Sequence, residues 1–182
     1  GLGRIRGGAD VIRWAIAIAL LSSPVMAQDL ELTPNWEYVA DKVMGGVSTG
    51  RATVETVDGR QATRLTGTVS LDNNGGFVQI AFDLAGAAVF DASDYAGIEV
   101  DVRGSGERYD IRLRTDALTR PWQSFRTEFV APQAWTTVRI PFNTFEAHRT
   151  EAAFDARRLR RVGILAIGRE MQDAIAVSDI RI

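Results

Sequence analysis

Cysteine is absent from the 182 residues, and histidine occurs once, as His148. The first absence excludes disulfides, thiolate metal sites, cysteine nucleophiles and a lipid-anchored cysteine at an export cleavage site. The second excludes a histidine-rich metal centre. Positive charge is not in surplus either: 21 basic residues face 23 acidic ones, a formal balance of −2. A general nucleic-acid binder neutralises phosphates with lysine and arginine, so that class is set aside. Anionic lipid has no general attraction for such a chain. No apolar run reaches the roughly 20 residues of a comfortable membrane span. Beyond residue 27 there is no internal repeat, linker or low-complexity tract, so one domain is expected over residues 28–182.

What is present begins with an export-like segment. Arg4, Arg6 and Arg13 precede an apolar run from Trp14 to Leu21, extended upstream by Val11 and Ile12. Ser22, Ser23 and Pro24 break it, and Val25-Met26-Ala27 supplies small residues where a signal peptidase reads. This order predicts a cleaved secretory signal peptide over residues 1–27, with a periplasmic or secreted mature domain. With 46% hydrophobic and 24% charged residues the composition is that of a globular protein. A chain of this length buries a substantial core without covalent staples.

From residue 28 onward the dominant period is two. Ile98, Val100 and Val102 alternate with Glu99, Asp101 and Arg103; Tyr109, Ile111 and Leu113 alternate with Asp110, Arg112 and Arg114; Val138, Ile140 and Phe142 continue the pattern. Strict alternation buries one face of a strand and wets the other, as antiparallel sandwiches require. Asp58-Gly59, Asn74-Gly75-Gly76 and Gly104-Ser105-Gly106 punctuate the pattern with turn chemistry. Strands are expected at 51–57, 61–71, 76–84, 96–103, 108–115, 123–130, 135–142, 161–168 and 174–182. Short strands at this spacing give an all-β jelly-roll sandwich. Residues 144–160 lack the alternation, and Ala152, Ala153, Ala156 and Leu159 suggest a short helix there, capped by Asp155.

Gly46-Val47-Ser48-Thr49-Gly50 matches the nucleophile elbow G-x-S-x-G, with Asp101 or Asp110 and then His148 following in hydrolase order. The elbow needs a helix after its serine, whereas Arg51–Val57 reads as a strand, so a glycine-rich loop is the expectation. His148 reads as an exposed loop residue. Glu99 and Asp101 share an outward face, but arginines 103, 112 and 114 make ion pairing the expected use, not the paired acids of a glycosidase. If their strands are neighbours, Asp101, Arg103, Asp110, Arg112, Arg114, Arg126 and Glu128 stud one surface. That surface is either a set of solvated pairs or a ligand face. Arg157, Arg158, Arg160 and Arg161 form a basic knot that reads as a solvated edge. Of Trp36, Trp122 and Trp135, the second, between Pro121 and Gln123, is expected to be the most exposed and a partner contact. Asp72-Asn73-Asn74 offers oxygens of the kind Ca²⁺ takes, but turn formation explains it, and no metal or cofactor is assigned.

Four segments together resemble the complex I intermediate-associated protein 30 family. They are Val39-Ala40-Asp41-Lys42-Val43-Met44-Gly45-Gly46-Val47-Ser48; Gly67-Thr68-Val69-Ser70-Leu71-Asp72-Asn73-Asn74-Gly75-Gly76-Phe77; Asp94-Tyr95-Ala96-Gly97-Ile98 with Val102-Arg103-Gly104, Tyr109 and Leu113-Arg114-Thr115; and Trp135-Thr136-Thr137-Val138-Arg139-Ile140-Pro141-Phe142 with Phe145. The family's W-R-G appears here as Ala147-His148-Arg149-Thr150. The resemblance implies a galactose-binding-like jelly roll and a non-catalytic role, the mitochondrial members being chaperone-like assembly factors for respiratory complex I. The expectation is therefore a periplasmic domain that is not an enzyme. It binds a protein partner, such as a respiratory-complex or other membrane-associated subunit, and assists assembly or stability. Its expected contacts are Met44, Gly45, Gly46, Asn73, Asn74, Arg103, Arg112, Arg114, Trp122 and Arg126. The alternative is a carbohydrate-binding module using Trp122, Tyr95 and the face arginines.

Overall fold

Alternating apolar residues demand two layers facing each other, and a computed structural model that describes residues 29–168 and 171–182 shows them. The expected signal peptide lies outside the described residues. Among the described residues eleven strands form: β1 Glu37–Ala40, β2 Thr49–Val57, β3 Arg60–Val69, β4 Phe77–Asp83, β5 Gly97–Arg103, β6 Arg108–Thr115, β7 Ser124–Val130, β8 Thr136–Pro141, β9 Glu146–His148, β10 Leu159–Ile167 and β11 Met171–Arg181. A front sheet runs β1-β4-β10-β6-β7-β9 and a back sheet β2-β3-β11-β5-β8, every pair antiparallel. This is the all-β jelly-roll sandwich that the periodicity calls for.

The core lies between the layers. Val78, Ile80, Phe82, Val162, Ile164, Ile111 and Leu113 descend from the front sheet onto Leu65, Val69, Ile98, Val100, Val102, Ile175 and Ile180 of the back sheet, all essentially inaccessible. The Asp58-Gly59 hairpin turn is left-handed at both central residues (φ 44° and 82°), the requirement of a type I′ turn.

All nine expected strands occur, each within a few residues of its expected bounds, and β1 and β9 are additional. Both are edge strands of four and three residues, too short to show a period. The expected helix within 144–160 does not form; only a single 3₁₀ turn, Ala156–Arg158, survives, with the Asp155 carboxylate accepting from the Arg157 N–H. Tertiary contacts override the alanine propensity. Phe154 sits among Phe125, Phe142 and Phe145, ring centroids 5.3, 5.7 and 6.1 Å away. The Ala156 carbonyl accepts from the Ala92 N–H (2.8 Å), holding the segment extended across the sandwich end.

The expected charged face divides in two. Arg112, Arg114, Arg126, Asp110 and Glu128 share the front sheet's outer surface, because β6 and β7 are paired. Asp101 and Arg103 do not join them: β5 belongs to the back sheet, between β11 and β8. There Asp101 receives both terminal nitrogens of Arg181 (3.1 Å each) and the Thr137 hydroxyl. Arg103 donates to the Gln133 carbonyl (2.9 Å) and lies 3.7 Å from Asp58. Adjacent sequence position along β5 and β6 gives no adjacency in space, since consecutive strands here switch sheets.

Candidate functional site

Two constructions stand out, a polar knot at one end of the front sheet and a cleft across its outer face. The knot is centred on Asp41, which is fully buried. Its Oδ1 accepts from the Ser48 N–H (3.0 Å); its Oδ2 accepts from the Ser48 hydroxyl (2.5 Å), the Gly76 N–H (2.6 Å) and the Phe77 N–H (3.4 Å). Ser48 Oγ in turn accepts from the Ser70 N–H (2.9 Å). Burial pushes the Asp41 carboxyl up, but the Ser48 hydroxyl and the three backbone donors outweigh it and hold it below the usual carboxylate range.

This knot explains the two glycine-rich segments. A side chain on Gly46 or on Gly75 would overlap the Asp41 carboxylate, so each stays glycine to let the backbone close on the charge. Gly45 ends the 3₁₀ turn Asp41–Met44 at φ 87°, and Asn73 turns the second loop at φ 55°. Of the expected contacts in these loops, Gly46 is buried against Asp41, Gly45 and Asn73 are exposed, and Met44 and Asn74 are backbone members of the two turns. The Ser48 hydroxyl is committed to Asp41 and buried, which removes the hydrolase arrangement.

The cleft has a volume of about 560 Å³, within the range of small-ligand sites. The inward–outward alternation on β4, β10 and β6 puts Phe77, Gln79 and Ala81, then Gly163, Leu165 and Ile167, then Arg112 and Arg114 on its surface. Val39 of β1 extends the floor on one side. Ser124, His148, Arg149 and Trp122 close the other. The floor is lowest where Gly163 pairs with Ala81, because neither projects beyond a methyl group. Phe77, which donates its N–H to Asp41, ties the apolar end of the cleft to the knot.

The arginines have separate tasks. Arg114 donates through Nη1 to the carbonyls of Arg120 (2.9 Å), Pro121 (3.2 Å) and Gln123, and through Nη2 to Leu118 (3.3 Å). It is the hub around which loop 118–123 folds. Gln123 Oε1 completes the loop by accepting from the N–H groups of Thr119 (3.2 Å) and Arg120 (3.1 Å). Trp122, at the crest, stays 49% exposed, with the Arg120 guanidinium 6.0 Å from its ring. Arg112 donates through Nε (3.1 Å) and Nη2 (3.0 Å) to Asp110 Oδ2. Arg126 grips the same carboxylate at 2.8 and 2.9 Å and lies beside the cleft, not in it. Arg161 bridges Asp83 (3.0 Å) and Glu37 (3.1 Å).

Among the expected contacts, Arg112, Arg114 and Trp122 therefore converge, Arg126 adjoins them, and Arg103 is on the opposite sheet. Tyr95 packs half-buried against the core. The basic knot disperses: Arg157 pairs with Asp155, Arg158 with Asp116, and only Arg161 reaches the cleft. His148, expected in an exposed loop, instead ends β9 opposite Ser124 and is half-buried in the cleft wall. Burial, with Arg112, Arg149 and Arg126 nearby, holds its imidazole below the ordinary histidine range; Asp110 opposes this only in part. The imidazole is therefore neutral at pH 7. Sequence reading did not find Gln79, Gly163, Leu165, Arg149 or the Asp41 centre. Among the described residues no three His, Cys, Asp or Glu side chains gather as a metal site, and no helix is long and apolar enough to cross a membrane.

The chain is similar in fold to several solved structures and matches one family model. The family 11 carbohydrate-binding module from Clostridium thermocellum, solved with a β-1,3-1,4-mixed-linked tetrasaccharide, superposes with a TM-score of 0.67 at 14% identity, covering 84% of this chain and 94% of that one. A family 30 carbohydrate-binding module of a cellulosomal cellulase from the same organism gives 0.56 at 20% identity, covering 87% and 91%. An exo-β-agarase gives 0.55 at 9% identity over 82% of this chain and 23% of the enzyme. No curated protein matches the chain significantly. The family model for complex I intermediate-associated protein 30 matches residues 26–176, which include both glycine-rich segments, the Asp41 knot and all the described lining of the cleft. The chain belongs to the complex I intermediate-associated protein 30 family.

Proposed function

We propose that the chain is a non-catalytic binding domain that holds a segment of a protein partner in the front-sheet cleft and assists assembly or stability of a membrane-associated complex. The observation that carries this reading is the cleft's make-up. Its floor is apolar at one end, through Val39, Phe77, Leu165 and Ile167, and cationic at the other, and among the described residues its lining holds no carboxylate. The described lining therefore offers no acid–base pair of the kind that glycoside hydrolysis uses. A peptide brings side chains for aliphatic subsites, whereas a sugar ring seeks flat aromatic faces. Family membership supports the assembly role. The basic, apolar and small-residue order of residues 1–27 supports placing the domain outside the cytoplasm.

A second reading, an oligosaccharide ligand, is favoured by one observation: exposed Trp122 on the cleft wall is a stacking platform in a fold shared with carbohydrate-binding modules. The two are separated by placing a photo-crosslinking amino acid at position 122 in the full chain and irradiating native membranes. A protein adduct that Gly163→Val abolishes is the expected outcome. Glycan-array binding lost in Trp122→Ala, without any protein adduct, transfers the function to the second reading.

A further inference from the structure

Positive charge in the cleft is not evenly distributed. Among the described residues four arginines line the cleft. Arg114 is spent on four loop carbonyls, and Arg161 on Asp83 and Glu37. Arg112 gives Nε and Nη2 to Asp110, a carboxylate it shares with Arg126. Arg149 is exposed and has no hydrogen bond or ion pair among the described residues. The acids near this end lie off the cleft: Glu128 beside Arg126 and Arg108, and Glu146 across from Arg126 on β9.

Beside Arg149 is a donor that lacks an acceptor. The Ser124 hydroxyl is buried, in the cleft wall, and without a partner among the described residues. An orphaned buried hydroxyl is costly, so it marks a place where a ligand oxygen is due. His148, its cross-strand neighbour, is held neutral chiefly by burial, reinforced by Arg112 and Arg149, so positive potential reaches this corner. The chain also turns left-handed at Arg149 (φ 55°), an uncommon conformation for a non-glycine residue and one that gathers at ligand sites. Opposite this corner lies the apolar floor of Phe77, Leu165 and Ile167.

We infer that the cleft selects an acidic, apolar segment of a partner protein, with a side-chain carboxylate seated at the Arg149–Ser124–His148 corner and an apolar side chain on the Phe77–Leu165–Ile167 floor. This rests on the cleft being the partner site. A guanidinium and a hydroxyl converging on one carboxylate provide charge-assisted hydrogen bonds that an amide does not match. Arg149 supplies the attraction, and Ser124 fixes the oxygen's position.

The test is selection from a random peptide library by the immobilised full chain, compared with Arg149→Gln, Arg149→Lys and Gly163→Val. Peptides eluted from the wild type are expected to be enriched in Asp or Glu beside an apolar residue. Their affinity should fall roughly ten-fold on changing that acid to its amide, the loss of one hydrogen bond to a charged group. Arg149→Gln should erase the preference and Arg149→Lys should largely restore it, with the advantage shrinking at high salt. Peptides recovered through the cleft with no acidic preference, or with a preference that survives Arg149→Gln, overturn the inference and leave the partner-site reading standing. Recovery that is indifferent to Gly163→Val overturns both.

Discussion

At the scale of single residues the molecule turns on Asp41. A buried carboxylate is tolerable only when its lone pairs are filled, and here two oxygens receive four donors from two distant loops. Asp41→Asn keeps the volume but turns an amide N–H₂ towards donors. It is expected to cost about 2–4 kcal/mol in denaturant unfolding, the cost of unmade bonds to a charged group. The pH dependence has a definite sign. The folded carboxyl titrates below its unfolded value, so its contribution is complete above about pH 4 and is lost as the pH falls through the folded value. The stability gap between wild type and Asp41→Asn should therefore narrow between pH 7 and pH ~2.5 in urea titrations. An unchanged gap would show that Asp41 is not the ionised centre of the knot.

At the scale of elements, loop 118–123 is the part most dependent on one side chain. Arg114 reaches four carbonyls because the guanidinium is a planar fork; an ammonium at that place cannot. Arg114→Lys should thus behave like Arg114→Ala. Both should increase amide exchange across 118–123 and move the Trp122 indole resonance, at a stability cost of about 1–2 kcal/mol. Retention of native exchange in the lysine variant would mean that Gln123, not Arg114, organises the loop. The function of Arg114 is in this sense positional: it sets where Trp122 stands on the cleft wall.

At the scale of the whole molecule, β10 carries a core face and a cleft face along one strand. Ile164 faces the core and is fully buried; Gly163 beside it faces the cleft. Ile164→Ala should cost about 2–5 kcal/mol through lost burial and the cavity left behind. Gly163→Val meets chiefly the movable end of Gln79, its Cβ being placed 2.9 Å from that Oε1. It should shift stability by no more than about 1 kcal/mol while filling the lowest part of the cleft. Thermal melts of the pair, read beside the crosslinking yield, check that the two faces are independent. A large stability loss in Gly163→Val would make the cleft part of the fold's own packing.

The local pattern decided much of what depends on neighbours along the chain, though it suggested a helix within 144–160 that does not form. Alternation specified nine strands and which of their faces is wet, Asp58-Gly59 specified a hairpin, and Pro121-Trp122-Gln123 an exposed indole, because a two-residue period and turn dihedrals are properties of a few consecutive residues. Partnership between distant strands was decided only in three dimensions. That β10 inserts between β4 and β6, while β5 crosses to the other layer, placed Arg161 and Gly163 in the cleft and took Arg103 out of it. It also brought Ser48 and Gly76 onto one carboxylate. Such contacts carry no local signature, since any outward polar residue looks alike until the strand next to it is known.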